Sequence, residues 1–547
     1  MIFIFIIVRV ILLQGFNTDC FYVNENSCKK NLSNVADKRQ IDLKVIKTFR
    51  GIIYDRNNEM LAMSIPRKTL CINVSRINYD DKDINYKKLL KLIKLPEKKF
   101  KKILKKHKNK KEYYLKRKIR DDLAKDISKL DLPNIYFIDE YQRVYLGGSY
   151  FSNIIGFTDI DNNGQAGIEY SKNTELSSIS GIKKIRKDNL GRSIELIDFI
   201  KKPSPGEDVY LSIDKRIQFI GFNILKEYTE KFDADSSSLV LVKVKTGEIL
   251  AMANYPSFNP SNRKELFGPK IKNSVTSISF EPGSTIKPFT VYNTLIHNTF
   301  KEKDFISTSP GKMKIGKHEI KDYKDLGDLS LEDVIRLSSN VGAAKISLAN
   351  NKKNIHTTLE KFDFGKSLYF DFHGEEQGSL PHYSSWDDAR HASIGYGYGL
   401  STTLLHLANA YTILANHGKK IQLTYERINN RDIFYEDVLD EEVSKKVVNM
   451  MQSVVENGTA KKARLEKYTV AGKTGTVRII KDGEYKKNSH LAIFVGITPV
   501  TNPEYVAAVV VRNPKNGTAS GGKNAAPIFR DFMRHSLNLL KVYPDRR

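Results

Sequence analysis

Residues 280–288 read Phe280-Glu281-Pro282-Gly283-Ser284-Thr285-Ile286-Lys287-Pro288, and this stretch decides how the larger part of the chain must fold. Proline has no N–H and is tolerated only in the first turn of a helix, so Pro288 requires the helix around it to begin close to Ser284. A helix N-terminus carries partial positive charge and unpaired N–H groups, which favour an oxyanion forming beside it. The i, i+3 spacing puts Lys287 on the same face as Ser284. A serine hydroxyl becomes a nucleophile when a base takes its proton, and lysine is such a base only when burial or a second cation lowers its pKa. The stretch therefore calls for a buried helix start and a second cation supplied from elsewhere in the chain. The competing reading is a capping serine beside a surface lysine.

Two later motifs supply what is missing. Ser330 and Asp333 form a capping-box-like helix start, and Leu331, Val334 and Ile335 mark that helix's buried stripe. Ser338, seven residues after Leu331, is expected on the same stripe. Its hydroxyl can relay a proton between Lys287, Ser284 and a leaving amine, while Asn340 can bond a substrate amide. Taken alone, Ser338-Ser339-Asn340 reads equally as a polar helix end. In Lys473-Thr474-Gly475-Thr476, Lys473 is the second cation, Thr474 and Thr476 offer hydroxyls to a carboxylate, and Gly475 lets a substrate backbone approach the strand. The backbone N–H groups of Ser284 and Thr476 are the expected oxyanion hole. An S-x-x-K, S-x-N and K-T-G set in this order is the signature of penicillin-binding proteins and serine β-lactamases.

Each motif is weak by itself. Ser27-Cys28-Lys29-Lys30 and Ser180-Gly181-Ile182-Lys183 also satisfy S-x-x-K, and Lys245-Thr246-Gly247 satisfies K-T-G. Ser27 lies beside the apolar N-terminal run, Ser180 precedes a glycine in a polar connector, and Lys245 sits at a hairpin tip ahead of every credible serine. Context selects Ser284.

Around these motifs the texture from Val209 onward alternates strands and helices. Leu239–Val244 and Glu248–Ala253 read as a hairpin around residues 245–247, and Val470–Ile480, His490–Ile497 and Tyr505–Val511 as three further strands, the first two joined through Asp482-Gly483. A helix from Ala526 to Leu540 closes the chain. The expectation is an α+β fold, with a mostly antiparallel five-stranded sheet covered by helices.

Upstream, residues 44–208 are mixed, with strand-like runs such as Lys47–Tyr54. Leu89, Leu92 and Ile93, then Phe100, Ile103 and Leu104 after Pro96, recur at the spacing of two short amphipathic helices. Their lysine-rich faces read as solvated surface, with a lipid-docking patch as the alternative. The 547 residues exceed one ordinary domain. Lys+Arg 89 against Asp+Glu 63 gives +26, which favours anionic partners, but the excess recurs along the chain and reads as compositional. No zinc-finger spacing, Walker loop or aromatic-interleaved basic groove points to nucleic acid. Cys20, Cys28 and Cys71 form no metal-ligand spacing, and a Cys20–Cys28 disulfide is one reading of the first two. Ile2 to Phe16 is apolar except for Arg9 and Gln14, shorter than the ~20 residues of a full span, and reads as an uncleaved N-terminal anchor.

The chain resembles class B penicillin-binding proteins, most closely the septal cell-division transpeptidase of Gram-negative bacteria. The resemblance rests on Phe280-Glu281-Pro282-Gly283-Ser284, Ser338-Ser339-Asn340-Val341-Gly342, Gly397-Tyr398-Gly399-Leu400, Lys473-Thr474-Gly475-Thr476 and Gly521-Gly522 before Pro527. Upstream it rests on Arg50-Gly51-Ile52-Ile53-Tyr54-Asp55-Arg56-Asn57, Arg143-Val144-Tyr145, Gly156 and Gly167-Ile168-Glu169. Asn58 stands where the family usually has glycine, and Leu146 where it usually has proline.

The resemblance implies an anchor at 1–18, an elongated, mostly-β pedestal of the dimerisation type at 19–205, and a serine β-lactamase-like transpeptidase domain at 206–547. It implies Ser284, Lys287, Ser338 and Lys473 as catalytic residues, with Asn340, Thr474, Gly475 and Thr476 binding substrate. The substrate would be a peptidoglycan stem ending in D-Ala-D-Ala, and β-lactams would acylate the same serine. No metal or organic cofactor is implied. The expected setting is the inner membrane, single-pass with the catalytic domain in the periplasm, beside a membrane glycan polymerase and other division proteins. An elongation-type class B enzyme is the nearest alternative, and a serine β-lactamase or β-lactam sensor a more distant one.

Overall fold

The computed structural model describes residues 3–5, 20–24, 27–30, 41–80, 82–187, 193–428, 433–481 and 484–546. The side chains of 20–30 and 480–488 lie outside that description, and with them the Cys20–Cys28 pairing and the Ser27 motif; Asp482-Gly483 also lies outside. Cys71 is a free, buried thiol. The anchor falls on residues 1–18, of which only 3–5 are described. Among the described residues no helix is long and apolar enough to cross a membrane.

The chain forms two compact units, one of Met1–Ile52, Ser64–Val144 and Thr174–Glu207, the other of Ile53–Met63, Tyr145–Asn173 and Asp208–Arg547. A single cut at 205/206 is therefore too simple, because two segments of the first 207 residues fold with the larger unit. The physical reason is visible in the strand Ile53–Tyr54, which pairs in parallel with Val209–Tyr210, an association between residues far apart in sequence.

The smaller unit contains a three-stranded antiparallel sheet of β1 (Ile41–Ile46), β5 (Gly181–Lys187) and β6 (Ser193–Lys201) in the order β6-β5-β1. A second set pairs β2 (Met60–Ile72) with β3 (Tyr113–Ile119) and β4 (Ile135–Tyr145). The run Lys47–Tyr54 is not one strand, since β1 ends at Ile46 and pairing resumes only at Ile53. The two amphipathic helices are present as α1 (Ile84–Ile93) and α2 (Glu97–Lys106). Asp83 caps the first, and Pro96, which cannot continue a helix, stands at the N-cap of the second. With α3 (Asp121–Ser128) they cover a core of Leu70, Ile72, Leu89, Ile93, Phe100 and Ile127. The unit is thus less purely β than expected.

The larger unit is built on a five-stranded antiparallel sheet, flanked by α4 (Lys215–Lys231). Its strands are β7 (Ser236–Lys243), β8 (Ile249–Tyr255), β9 (Ala471–Lys481), β10 (Glu484–Thr498) and β11 (Tyr505–Arg512), in the order β8-β7-β11-β10-β9. Leu239 to Val242 and Val506 to Val511 are wholly buried, as continuous apolar runs are when both faces of a strand are covered. The register runs Met252–Val240–Ala508–Val495–Lys473 straight across the sheet, which puts the lysine on the edge strand β9. The remaining helices are α5 (Lys287–Ile296), α6 (Leu331–Arg336), α7 (Asn340–Ala349), α8 (Leu404–Ala415) and α9 (Glu441–Glu456), together with α10 (Ala526–Leu539), which packs beside α4, Tyr228 donating its hydroxyl to Asp531 at 2.6 Å. All twelve residues of α8 are buried, and its polar members His406, Asn409 and Thr412 are each hydrogen-bonded within the fold.

Candidate active site

Ser284 sits in a 3-10 turn, Gly283–Ile286, that runs directly into α5 at Lys287, with Pro288 in the first helical turn. The turn is held from three sides. Gly283 donates its N–H to the carbonyl of Gly397 at 2.9 Å, and a Cβ on Gly397, whose φ is +91°, would come within 2.0 Å of the Gly283 oxygen. Tyr411, buried in α8, donates its hydroxyl to the Thr285 carbonyl at 2.8 Å. On β9, a Cβ at Gly475 would lie 3.0 Å from Thr285 Cγ2 and 3.1 Å from the Pro282 oxygen. The close approach that this glycine permits is first of all that of the serine-bearing turn.

Ser338 does not continue the buried stripe of α6. That helix ends at Arg336, and Ser338 occupies the left-handed region, φ +62°, between α6 and α7. The departure has a cause in the next residue, since the Ser339 hydroxyl accepts the N–H of Gly342 at 2.8 Å and so starts a new helix instead of extending the old one. The left-handed turn brings both polar groups of Ser338 to the lysines. Lys287 Nζ donates to the Ser338 carbonyl at 2.6 Å, to Asn340 Oδ1 at 2.8 Å and to Ser338 Oγ at 3.2 Å. Lys473 Nζ donates to the same Oγ at 3.0 Å and to its neighbour's carbonyl, on Thr474, at 3.2 Å. One hydroxyl therefore joins two amines, both of them 0% exposed.

Burial is the main force on these amines. It holds Lys287 well below the usual lysine value, with the charge of Lys473 adding to the effect and Asp322 opposing it. Burial brings Lys473 down to about 7. Both shifts favour the neutral amine over the ammonium, which is the form a base needs. The Ser284 hydroxyl makes no hydrogen bond among the described residues, and the Lys287 amine is turned toward Ser338 and Asn340; catalytic bonds are often long before substrate arrives. On β9 the side chains alternate. Lys473 and Gly475 face the serine-bearing side, while Thr474 Oγ1 meets Thr459 Oγ1 at 2.8 Å and Thr476 Oγ1 accepts the N–H of Gly521 at 3.1 Å. The structure thus gathers Lys287, Ser338, Asn340 and Lys473 beside the Ser284 turn. It leaves the rejected motifs elsewhere: Lys245 donates to Asn416 Oδ1 at 3.2 Å, and Ser180 precedes β5 in the smaller unit.

Family models for a penicillin binding protein transpeptidase domain and a penicillin-binding protein dimerisation domain match residues 237–534 and 45–211. The chain belongs to the penicillin-binding protein transpeptidases. It is 33% identical to the peptidoglycan D,D-transpeptidase FtsI of Buchnera aphidicola subsp. Schizaphis graminum, over 100% of this chain and 94% of that one. It is likewise 33% identical to the FtsI of Escherichia coli, over 93% and 87%. Among solved structures, the transpeptidase domain of Burkholderia pseudomallei penicillin-binding protein 3 is 32% identical and superposes with a TM-score of 0.57, covering 62% of this chain and 98% of its own.

Two residues of this penicillin-binding protein's site were not legible from its motifs. Asp322 Oδ1 accepts the N–H groups of Asn340 at 2.5 Å and Val341 at 3.2 Å, and Oδ2 accepts the Ser339 hydroxyl at 2.5 Å, so one carboxylate fixes the turn that carries Ser338. Tyr411 holds the Ser284 turn from behind. Neither has a sequence signal beyond its type, because each acts across a long separation.

Proposed function

We propose that this chain is a peptidoglycan D,D-transpeptidase that cross-links stem peptides during septal wall synthesis through an acyl-enzyme on Ser284. The observation that carries the reading is the buried pair Lys287 and Lys473 meeting at the Ser338 hydroxyl beside the Ser284 turn. In this mechanism the neutral Lys287 amine takes the Ser284 proton as Oγ attacks the carbonyl of the penultimate D-Ala. The oxyanion is received by the N–H groups of Ser284 and Thr476. Ser338 passes the proton to the departing amine, the C–N bond breaks, terminal D-Ala leaves and an ester remains on Ser284. An amine of a neighbouring stem then attacks the ester, gives its proton back along the same route, and restores the serine with a new peptide bond. Lys473, Thr474 and Thr476 receive the donor's terminal carboxylate, Asn340 bonds its amide, and Gly475 keeps the strand edge clear of a side chain. β-Lactams acylate the same serine. The setting we propose is the periplasmic face of the inner membrane, beside a glycan polymerase, with residues 1–18 as anchor, the smaller unit as pedestal and the larger unit as transpeptidase domain.

Fluorescent penicillin will label the purified protein covalently, and Ser284→Ala will abolish the label. Persistent labelling of the Ala variant would reject Ser284 as the nucleophile. An acyl-enzyme turned over in seconds would point to a lactamase. Depletion in cells gives filaments for a septal enzyme and spheres for an elongation enzyme.

A further inference from the structure

The lysines of α1, α2 and the residues after them are not accounted for by the chain's general composition. Residues 87–111 hold thirteen lysines against the one carboxylate of Glu97, a net +12 of the whole chain's +26; the other 522 residues share +14. All thirteen are exposed. Ion pairing within the lobe is confined to Lys101 and Glu97, at 2.9 Å, and the remaining twelve lysines make no ion pair among the described residues. Lys98, Lys102 and Lys105 form one stripe at i, i+4, i+7 along α2, and Lys87, Lys91 and Lys94 form another along α1, beside a shallow groove of about 370 Å³. The apolar faces of both helices are already used, with Leu89, Ile93 and Phe100 in the core.

The chemistry of the lobe narrows its partner. It has no arginine, so it lacks the planar fork that grips one phosphate or carboxylate bidentately. Tyr86 and Phe100 are buried and His107 is stacked on Tyr113, so the lobe offers no free aromatic platform for stacking nucleobases. Ile84 is its one strongly exposed apolar side chain, too little to insert as an amphipathic anchor does. What remains is a set of exposed point charges on flexible stems, which suits a surface whose own charges are diffuse and mobile. We infer that the lobe formed by residues 84–111 docks electrostatically on anionic phospholipid headgroups. The inference rests on the reading above of a membrane-anchored chain, because an anchor makes the surface continuously available to the lobe.

The test uses the full chain in lipid nanodiscs of neutral phosphatidylcholine, or of the same lipid with about one-third anionic phosphatidylglycerol. Amine acetylation read by mass spectrometry reports each lysine. Lys98, Lys102 and Lys105 should react roughly threefold more slowly in the anionic disc and recover at high salt, as a screened contact does. Lys264 and Lys303, exposed in the other unit, should not change. The triple variant Lys98→Glu, Lys102→Glu, Lys105→Glu should remove the protection of Lys87 and Lys91, and the Gln triple should weaken it. Equal reactivity in both discs overturns the inference, as does equal protection by soluble polyphosphate in neutral discs. Failure of the anchor reading is seen separately, as loss of the chain from either disc on size exclusion.

Discussion

Two amines that would repel one another as cations converge on the hydroxyl of Ser338, and burial shifts both of them toward the neutral form. Lys473's charge depresses Lys287 and Asp322's charge lifts it, so removing either should move the acid limb of acylation in opposite directions. Lys473→Met raises the Lys287 pKa, and the pH at which acylation of a chromogenic β-lactam switches on should rise. Asp322→Asn lowers it, and the switch should come at lower pH, with a reduced plateau because the Ser338 turn has lost its clamp. Rate–pH profiles of the two variants decide this; limbs moving the same way would sink the account. The catalytic residues were legible in sequence because the chemistry dictates residue type at short spacing. Asp322 was not, since it reaches Ser339, Asn340 and Val341 from 17 to 19 positions upstream. Nor was the backbone of Ser338, because helical periodicity had no means of showing that Ser339 restarts the helix.

At the level of elements, the serine-bearing turn is wedged between α8 and β9. Tyr411→Phe removes a bond to a buried carbonyl and should cost about 1 kcal/mol. The melting temperature should fall by a few degrees and acylation should slow. Gly475→Ala puts a methyl group against Thr285 and Pro282, an overpacking that typically costs about 1–3 kcal/mol, and it should slow acylation more than it lowers the melting temperature. If Gly475→Ala acylates at the wild-type rate, the turn does not depend on that contact. The strands of the sheet could be read from unbroken apolar runs such as Leu239–Val242, and α1 and α2 from their periodicity. Lys47–Tyr54 was misread as one strand because Thr48, Phe49, Ile52, Ile53 and Tyr54 favour extended backbone whether or not a neighbour pairs with it.

At the scale of the molecule, the smaller unit is held by the buried carboxylate of Glu140. It accepts Lys47 Nζ at 2.6 Å, Arg117 Nη2 at 2.6 Å and Nε at 3.1 Å, and the Thr69 hydroxyl. Burial alone would raise its pKa, but these hydrogen bonds outweigh burial and hold it at about 2. The carboxylate's contribution is complete above its unfolded value of about 4.5 and is lost as pH falls toward about 2. Amide exchange in β2, β3 and β4 should accelerate over that window. Glu140→Gln should lower stability by about 3 kcal/mol at neutral pH, by leaving two cations without their partner. Exchange that is independent of acid would remove Glu140 from this role. The motifs revealed two functional parts, but not which segments belong to which unit, because the pairing of Ile53–Tyr54 with Val209–Tyr210 joins residues more than 150 positions apart.

The chain passes between its two units five times, at 52/53, 63/64, 144/145, 173/174 and 207/208. A protease that opens the last of these frees no fragment. Residues 208–547 still grip the earlier segment through the paired short strands, and through Arg427, whose guanidinium donates to Asn58 Oδ1 at 2.9 Å and to the Arg56 carbonyl at 3.2 Å. The molecule is sewn together with redundant stitches, so that damage to one thread leaves the garment in one piece.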